Sequence, residues 1–196
     1  MKTTIIYSLI ASCFFSLIVG SLTAQNTYRK DKWNFKLDYS QGPFKNLDGK
    51  KSGNIRLEVD HGISNLIEAG AYLGMTKYNR YEYLYTDTLN LPHFNVEYKS
   101  APLWGIGLNF HPLPLLIHQE GFRFDLYLAG KFGGIYFFGK ENDTPQGTKL
   151  QVFMGGGIAF YLIKNAGLFI EYGNELNTAG RKSWDDRLYA GITIKL

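Results

Sequence analysis

Residues 122–132 read FRFDLYLAGKF, and their side chains alternate in character with a period of two. The even positions are apolar, whereas most of the odd positions are polar or charged: Phe122, Phe124, Leu126, Leu128 and Phe132 against Arg123, Asp125, Tyr127, Ala129 and Lys131. Because successive side chains of a strand leave opposite faces, the stretch predicts a β-strand with one apolar and one charged face. Which of the two faces lies inside decides the environment of the protein.

The same alternation recurs along the chain and divides it into eight segments. The other seven begin near Trp33, Ile55, Ile67, Phe94, Val152, Leu168 and Leu188. A strand needs about 9–11 residues to cross a bilayer at a tilt, and an even number of such alternating segments is typical of a transmembrane barrel. We therefore predict an all-β protein, an eight-stranded antiparallel up-and-down transmembrane β-barrel.

The connections between these segments alternate in length. Residues 41–52, 79–92, 139–148 and 174–185 are long, whereas residues 62–65 and 164–167 are tight turns. With both chain termini in the periplasm, these four long connections fall outside the cell and the two tight turns face the periplasm. The fourth connection, HPLPLLIHQEG, is longer than this arrangement predicts for the periplasmic side.

The charged face is the better candidate for the interior. It carries equal numbers of basic and acidic residues: Lys36, Arg56, Lys99, Arg123, Lys131, Arg187 and Lys195 against Asp38, Glu58, Asp60, Glu68, Glu97, Asp125 and Glu171. Charges out of water must be paired, which explains the balance, and the bulky aromatic residues of the other face would overfill an eight-stranded barrel. We predict a salt-bridged interior without an open pore. A secreted lipocalin-like binder, with the apolar face inward, remains an alternative.

The first 24 residues have the pattern of a cleaved secretory signal peptide. Lys2 precedes an apolar run, and small and polar residues follow it. The barrel domain is accordingly predicted over residues 25–196. The only cysteine, Cys13, falls within the signal, so we expect no disulfide in the barrel. The formal net charge of +4 comes without a Lys/Arg run, which disfavours a nucleic-acid partner.

The chain offers weak candidates for catalysis or metal binding. His61 and Ser64 superficially resemble the His and Ser of a lipid-hydrolysing site, but their spacing places them on opposite faces, at a predicted turn that Ser64 would cap. His93, His111 and His118 are scattered, and we predict that they lie in loops or at the membrane interface. We predict no catalytic residue, no cofactor and no metal.

A row of tyrosines suggests a binding surface. Tyr81, Tyr83 and Tyr85 keep the alternation of the third segment beyond the predicted membrane span, opposite the start of the fourth segment. A protruding hairpin with exposed aromatic residues is suited to contact a partner, by strand addition or by aromatic anchoring. The other interpretation is that the tyrosines extend the aromatic girdle and stiffen the hairpin.

The chain resembles the small eight-stranded outer-membrane barrels of the OmpX and OmpA transmembrane type, in particular the outer membrane β-barrel or porin family proteins of Bacteroidota-type bacteria. The resemblance rests on residues 103–112, 126–134, 155–173 and 188–196. It implies an integral outer-membrane protein that contacts lipids and lipopolysaccharide and is assembled by the barrel-insertion machinery and periplasmic chaperones. These motifs are specific for the architecture and not for an activity, and our first hypothesis is a non-enzymatic protein. External loops would contact a surface protein or support the envelope. A lipid A-modifying enzyme of the deacylase or acyltransferase type is the alternative function.

Overall fold

A computed structural model of the chain describes residues 29–45, 51–86, 92–116, 123–139, 145–178 and 184–196. The predicted signal peptide lies outside these residues. The strands are β1 (Trp33–Lys45), β2 (Lys51–Gly62), β3 (Ile67–Thr86), β4 (Pro92–Phe110), β5 (Phe124–Phe137), β6 (Gly147–Tyr161), β7 (Ala166–Asn177) and β8 (Trp184–Lys195), and a short helix α1 (Leu113–Leu116) follows β4. Within the described ranges, no helix has the length and apolar character needed to cross a membrane.

The eight strands close into a barrel. Each strand pairs antiparallel with the next, and β1 also pairs with β8, from Asn34 opposite Lys195 to Ser40 opposite Tyr189. Closure gives the first and last strands a hydrogen-bonding neighbour on both sides, so the barrel wall has no free edge. The prediction of an eight-stranded antiparallel up-and-down barrel is confirmed.

The barrel has two distinct ends. The turn end holds residues 63–66 and 162–165, the start of β1 and the end of β8; the loop end is the opposite one. At the turn end the Ser64 hydroxyl oxygen accepts hydrogen bonds from the backbone amides of Leu66 and Ile67, both at 3.1 Å. Ser64 thus caps a tight turn, as its sequence context predicts.

The two faces of the wall are oriented as the charge balance predicts. In residues 122–132, Leu126 and Leu128 point outward, whereas Asp125 and Lys131 are buried inside. The same division holds on the other strands, and a lipocalin-like arrangement with an apolar interior is therefore wrong for this chain. An apolar outer face and a fully paired backbone are what a lipid-exposed wall requires.

Inward-facing glycines make room for large side chains in the narrow interior. A Cβ atom on Gly157 would lie 2.2 Å from Cζ of Tyr127, and one on Gly105 would lie 2.4 Å from Cζ of Tyr72. The tyrosine rings therefore occupy the space that a side chain at these positions would need. This is how an eight-stranded barrel holds long polar side chains without overfilling.

Strands β3 and β4 run far beyond their neighbours. They pair with each other from Ile67–Phe110 up to Thr86–Pro92, whereas β2 leaves β3 after Thr76 and β5 leaves β4 after Leu103. Residues 77–86 and 92–102 thus form a two-stranded projection, called the arm below. At about 3.4 Å per residue the arm is roughly 35 Å long. The prediction of a loop over residues 79–92 is wrong for most of its length.

Candidate functional site

The middle of the barrel is occupied by a connected set of ion pairs, called the central network: Lys36, Arg56, Glu58, Asp60, Lys131 and Glu171. The Lys131 ammonium lies 2.7 Å from a carboxylate oxygen of Glu58 and 2.7 Å from one of Glu171. Lys36 bridges Glu58 at 3.2 Å and Asp60 at 2.7 Å. These contacts join four strands across the interior and leave each central charge with an opposite charge beside it.

Arg56 extends the network toward the loop end. Its guanidinium donates through Nε to Asp38 at 3.0 Å and lies 4.1 Å from the centre of the Tyr189 ring. The Tyr189 hydroxyl in turn donates to Glu175 at 2.6 Å, and Arg187 pairs with Glu175 at 3.2 Å. Charge-assisted hydrogen bonds of this kind are about twice as strong as neutral ones, so these contacts stabilise the loop-end side of the network.

A second cluster, the turn-end cluster, closes the opposite end: Arg29, Glu68, His111 and Asp125. His111 lies between the two acids, with Nε2 at 3.3 Å from Glu68 and Nδ1 at 3.1 Å from Asp125. Arg29 pairs with both acids as well. It enters from the segment before β1, which is held by backbone bonds in both directions between residues 31–32 and Gly62, each 2.9 Å long.

The interior charges nearly balance. Among the described residues, the buried acids number seven and the buried arginines and lysines six: Asp38, Glu58, Asp60, Glu68, Asp125, Glu171 and Glu175 against Arg29, Lys36, Arg56, Lys131, Arg187 and Lys195. Burying unpaired charges costs several kcal/mol each, so this near-equality is a condition of folding. The interior is salt-bridged, as the sequence predicts.

An apolar cluster lies above the charges, at the loop end. It consists of buried residues from β3, β4 and β5: Tyr72, Tyr78, Ala101, Leu103, Ile135 and Phe137. The rings of Tyr78 and Phe137 meet edge to face with centroids 4.7 Å apart, and the Tyr78 hydroxyl donates to the Phe138 carbonyl at 3.3 Å. The base of the arm therefore packs over one side of the barrel mouth.

The arm has two different faces. On the face that continues the apolar outer wall, Tyr81 lies opposite Val96. Nearer the tip, the register of the β3–β4 pairing shifts between Tyr83 and Tyr85, and beyond this shift the exposed Tyr85 stacks on His93 with ring centroids 4.7 Å apart. Tyr83 lies opposite Phe94 in the backbone pairing of the two strands; their side chains are outside the described part of the structure. The other face carries Glu97 and Lys99, which form an ion pair at 2.9 Å. The predicted pairing of the tyrosine row with the start of the fourth strand is confirmed.

Several predicted positions of charged residues need correction. Glu97 and Lys99 lie on the arm and are about a third or more exposed, because β4 pairs with β5 only from Leu103 onward. Arg123 precedes β5 and donates to the Leu162 carbonyl at the turn end, at 3.4 Å, outside the interior. The prediction of a loop over residues 174–185 is wrong at Glu175, because β7 continues through this residue and buries it.

The histidines behave differently from one another. The prediction of a loop or interfacial position is wrong for His111, which is buried in the turn-end cluster because it continues the inward alternation of Asn109. His93 is exposed on the arm, and His118 lies outside the described residues. His61 packs on Trp33, with ring centroids 4.7 Å apart. No group of three or more His, Cys, Asp or Glu side chains in the described ranges is arranged to hold a metal ion.

No protein-family model and no curated protein matches this chain, but solved structures do. The N-terminal β-barrel domain of Pseudomonas aeruginosa OprF gives a TM-score of 0.53 at 9% identity, over 85% of this chain and 98% of that one. A major outer membrane protein from Thermus thermophilus gives 0.47 at 11% identity, over 84% and 99%. Yersinia pestis Ail gives 0.45 at 12% identity, over 85% and 100%. At such identities the likeness concerns architecture alone: the chain has the fold of the small eight-stranded outer-membrane β-barrels.

Proposed function

We propose that the protein is an integral, non-enzymatic component of the outer membrane that carries no solute and uses the arm to contact a partner at the cell surface. In this arrangement the apolar wall contacts outer-membrane lipids and lipopolysaccharide, and both chain termini lie on the periplasmic side. The barrel-insertion machinery and periplasmic chaperones would handle the chain during assembly. The single observation that carries the proposal is the arm, which extends β3 and β4 far beyond the rest of the wall.

The interior supports the absence of transport. The ammonium of Lys131 reaches across the barrel to acids of β2 and β7, and the apolar cluster lies between this contact and the loop end. An eight-stranded barrel has room in its interior only for its own side chains. Opening a path would separate buried ion pairs, which is energetically costly.

Two exposed tyrosines of the arm support a contact function. The apolar outer wall of β3 ends at Met75, and the exposed Lys77 follows it. Tyr81 and Tyr85 lie further along, beyond the apolar band, and are 37% and 56% exposed. Exposed tyrosines are favourable anchors at protein interfaces, because they supply large contact area at small cost in side-chain entropy.

Site-specific photo-crosslinking in intact cells tests the proposal. A photoreactive amino acid at Tyr81 or Tyr85 is expected to give a discrete adduct after irradiation, whereas the same amino acid at Leu116, an exposed residue near the turn end, should not. Heat-dependent gel mobility of each variant, extracted from outer membranes, checks that the barrel has formed. Folded, membrane-inserted variants that give no adduct from either arm position would refute the contact function.

The orientation is tested separately. A cysteine at Tyr85 is expected to react with a membrane-impermeant maleimide on intact cells, and a cysteine at Leu116 only after the outer membrane is permeabilised. The reverse result would place the arm in the periplasm. It would leave the barrel fold intact and move the search for a partner to that compartment.

A further inference from the structure

Gly130 differs from the other strand glycines of the described chain. Most of these glycines are crowded: a Cβ atom added to them would come within 3.5 Å of a tyrosine ring, another side chain or the backbone of a neighbouring strand. A Cβ atom on Gly130 would meet nothing within 4 Å. Gly147 also has open space around it, but its positive φ of 67° explains the glycine there.

Gly130 lies at the floor of a groove in the outer wall. Leu108 of β4 and Met154 of β6 are its direct cross-strand neighbours, and Phe132 follows it on the same face of β5. These three side chains and Ile106 are exposed and form the rim. The groove has a volume of about 580 Å³. The missing side chain at Gly130 therefore exposes a strip of bare backbone between bulky neighbours.

The position of the groove indicates what fills it. It opens from the middle of the apolar outer wall, on the surface that faces hydrocarbon in a transmembrane barrel. Its rim is apolar, and the floor backbone is already paired in the β4–β5 and β5–β6 ladders. A glycine inside a strand often marks a bulge, a tight bend, or a place where a ligand or another backbone approaches closely. The pairing of β5 with β4 and β6 has no register shift at Gly130, which favours the close approach of a ligand over a bulge. A flexible acyl chain meets these conditions, because it needs no hydrogen-bond partner and is present at this depth.

We propose that the groove around Gly130 is a binding site for one acyl chain of a membrane lipid. The chain lies against the β5 backbone between the side chains of Leu108 and Met154, in contact with Phe132. The lipid is held longer there than elsewhere on the wall, where side chains such as Leu128 and Ile170 project directly into the bilayer. The inference is independent of the arm and of its partner.

The test compares two substitutions that add the same side chain to the lipid-facing surface. Gly130→Leu fills the groove, whereas Ala190→Leu adds bulk to the exposed face of β8, away from the groove. Each protein is placed in phosphatidylcholine vesicles that contain a phosphatidylethanolamine with a nitroxide near the end of one acyl chain. Electron paramagnetic resonance then measures the motionally restricted lipid per protein, and gel mobility confirms the folded barrel.

The wild-type protein and A190L are expected to show a restricted lipid component in excess of the fluid annulus, and G130L to lose that excess. An excess that persists in G130L, or its absence in the wild-type protein, would overturn the proposal. A wild-type dimer that G130L converts to a monomer, without change in restricted lipid, would also overturn it, because the groove would then be occupied by a second copy of the chain. Chemical crosslinking in the same vesicles reads out that state.

Discussion

Replacing Lys131 by methionine removes the cation that holds the central network together. The two side chains have similar length, so the change deletes a charge and leaves the volume nearly unchanged. Lys131 contacts Glu58 and Glu171, each at 2.7 Å. After the substitution, Glu58 keeps Lys36 at 3.2 Å, and Glu171 keeps Arg56 at 3.5 Å. Both acids stay buried, and each has lost its shortest ion pair.

The expected loss of unfolding free energy is about 3–5 kcal/mol, the usual cost of removing one partner from a buried ion pair. The cost arises mainly from the two carboxylates, whose desolvation is no longer offset. Adding Glu171→Gln to K131M removes one excess negative charge. The double variant should therefore be more stable than the sum of the two single changes predicts, by about 1–3 kcal/mol.

Equilibrium urea unfolding of the barrel in lipid vesicles measures these differences, with tryptophan fluorescence as the signal and heat-dependent gel mobility as an independent probe. Lys99→Met is the matched control, because Lys99 pairs with Glu97 at 2.9 Å but is 44% exposed. Its expected cost is about 0–1 kcal/mol. A K131M barrel as stable as K99M, or a double variant with strictly additive losses, would refute the idea that the central network is electrostatically coupled.

Three further predictions have defined outcomes, and two of them include a control substitution. Gly157→Ala forces a methyl group into the Tyr127 ring and should lower the unfolding free energy by about 1–3 kcal/mol in the same urea assay, whereas Gly130→Ala, with open space, should cause no loss. Leu57→Lys places a charge on the lipid-facing wall and should lower the unfolding free energy in vesicles by about 2–4 kcal/mol. Tyr85→Lys on the arm is the control, and an equal loss of unfolding free energy from this variant would contradict the prediction. Arg29→Ala should speed amide hydrogen exchange at Gly62, and unchanged exchange there would show that Arg29 does not anchor this segment.

The alternation of side chains predicts the wall of the barrel well, because a closed sheet imposes one rule on every strand. In residues 122–132, the side chains of Asp125 and Lys131 are inside the barrel and that of Leu126 is outside, as expected. The alternation predicts which way a side chain points better than it predicts how far the barrel wall extends along each strand. Glu97 has the correct phase, yet it lies on the arm, because phase does not tell where a neighbouring strand departs.

The turn-end cluster marks the limit of the same reasoning. His111 continues the inward phase of Asn109, which is a usable signal, but the proline that follows it indicates a connection instead. Arg29 has no such signal. It precedes β1 in a segment without alternation, and it reaches the interior through a backbone turn at Asp31, where φ is 61°. A contact made by a single irregular turn leaves no periodic trace in the sequence.

The pairing of β1 with β8 constrains how the protein can be made. The Thr193 hydroxyl donates to the Asn34 side-chain oxygen at 2.6 Å, and the two residues are 159 positions apart in the chain. Until β8 has been synthesised, β1 has an unpaired edge that hydrocarbon cannot satisfy. Strand-by-strand insertion during translocation is therefore disfavoured, and the seam between the first and last strands is expected to close late. Bringing the two ends of so long a chain segment together is entropically unfavourable and therefore slow. A factor that binds the barrel before β1 and β8 have paired would therefore control how much of the protein completes folding.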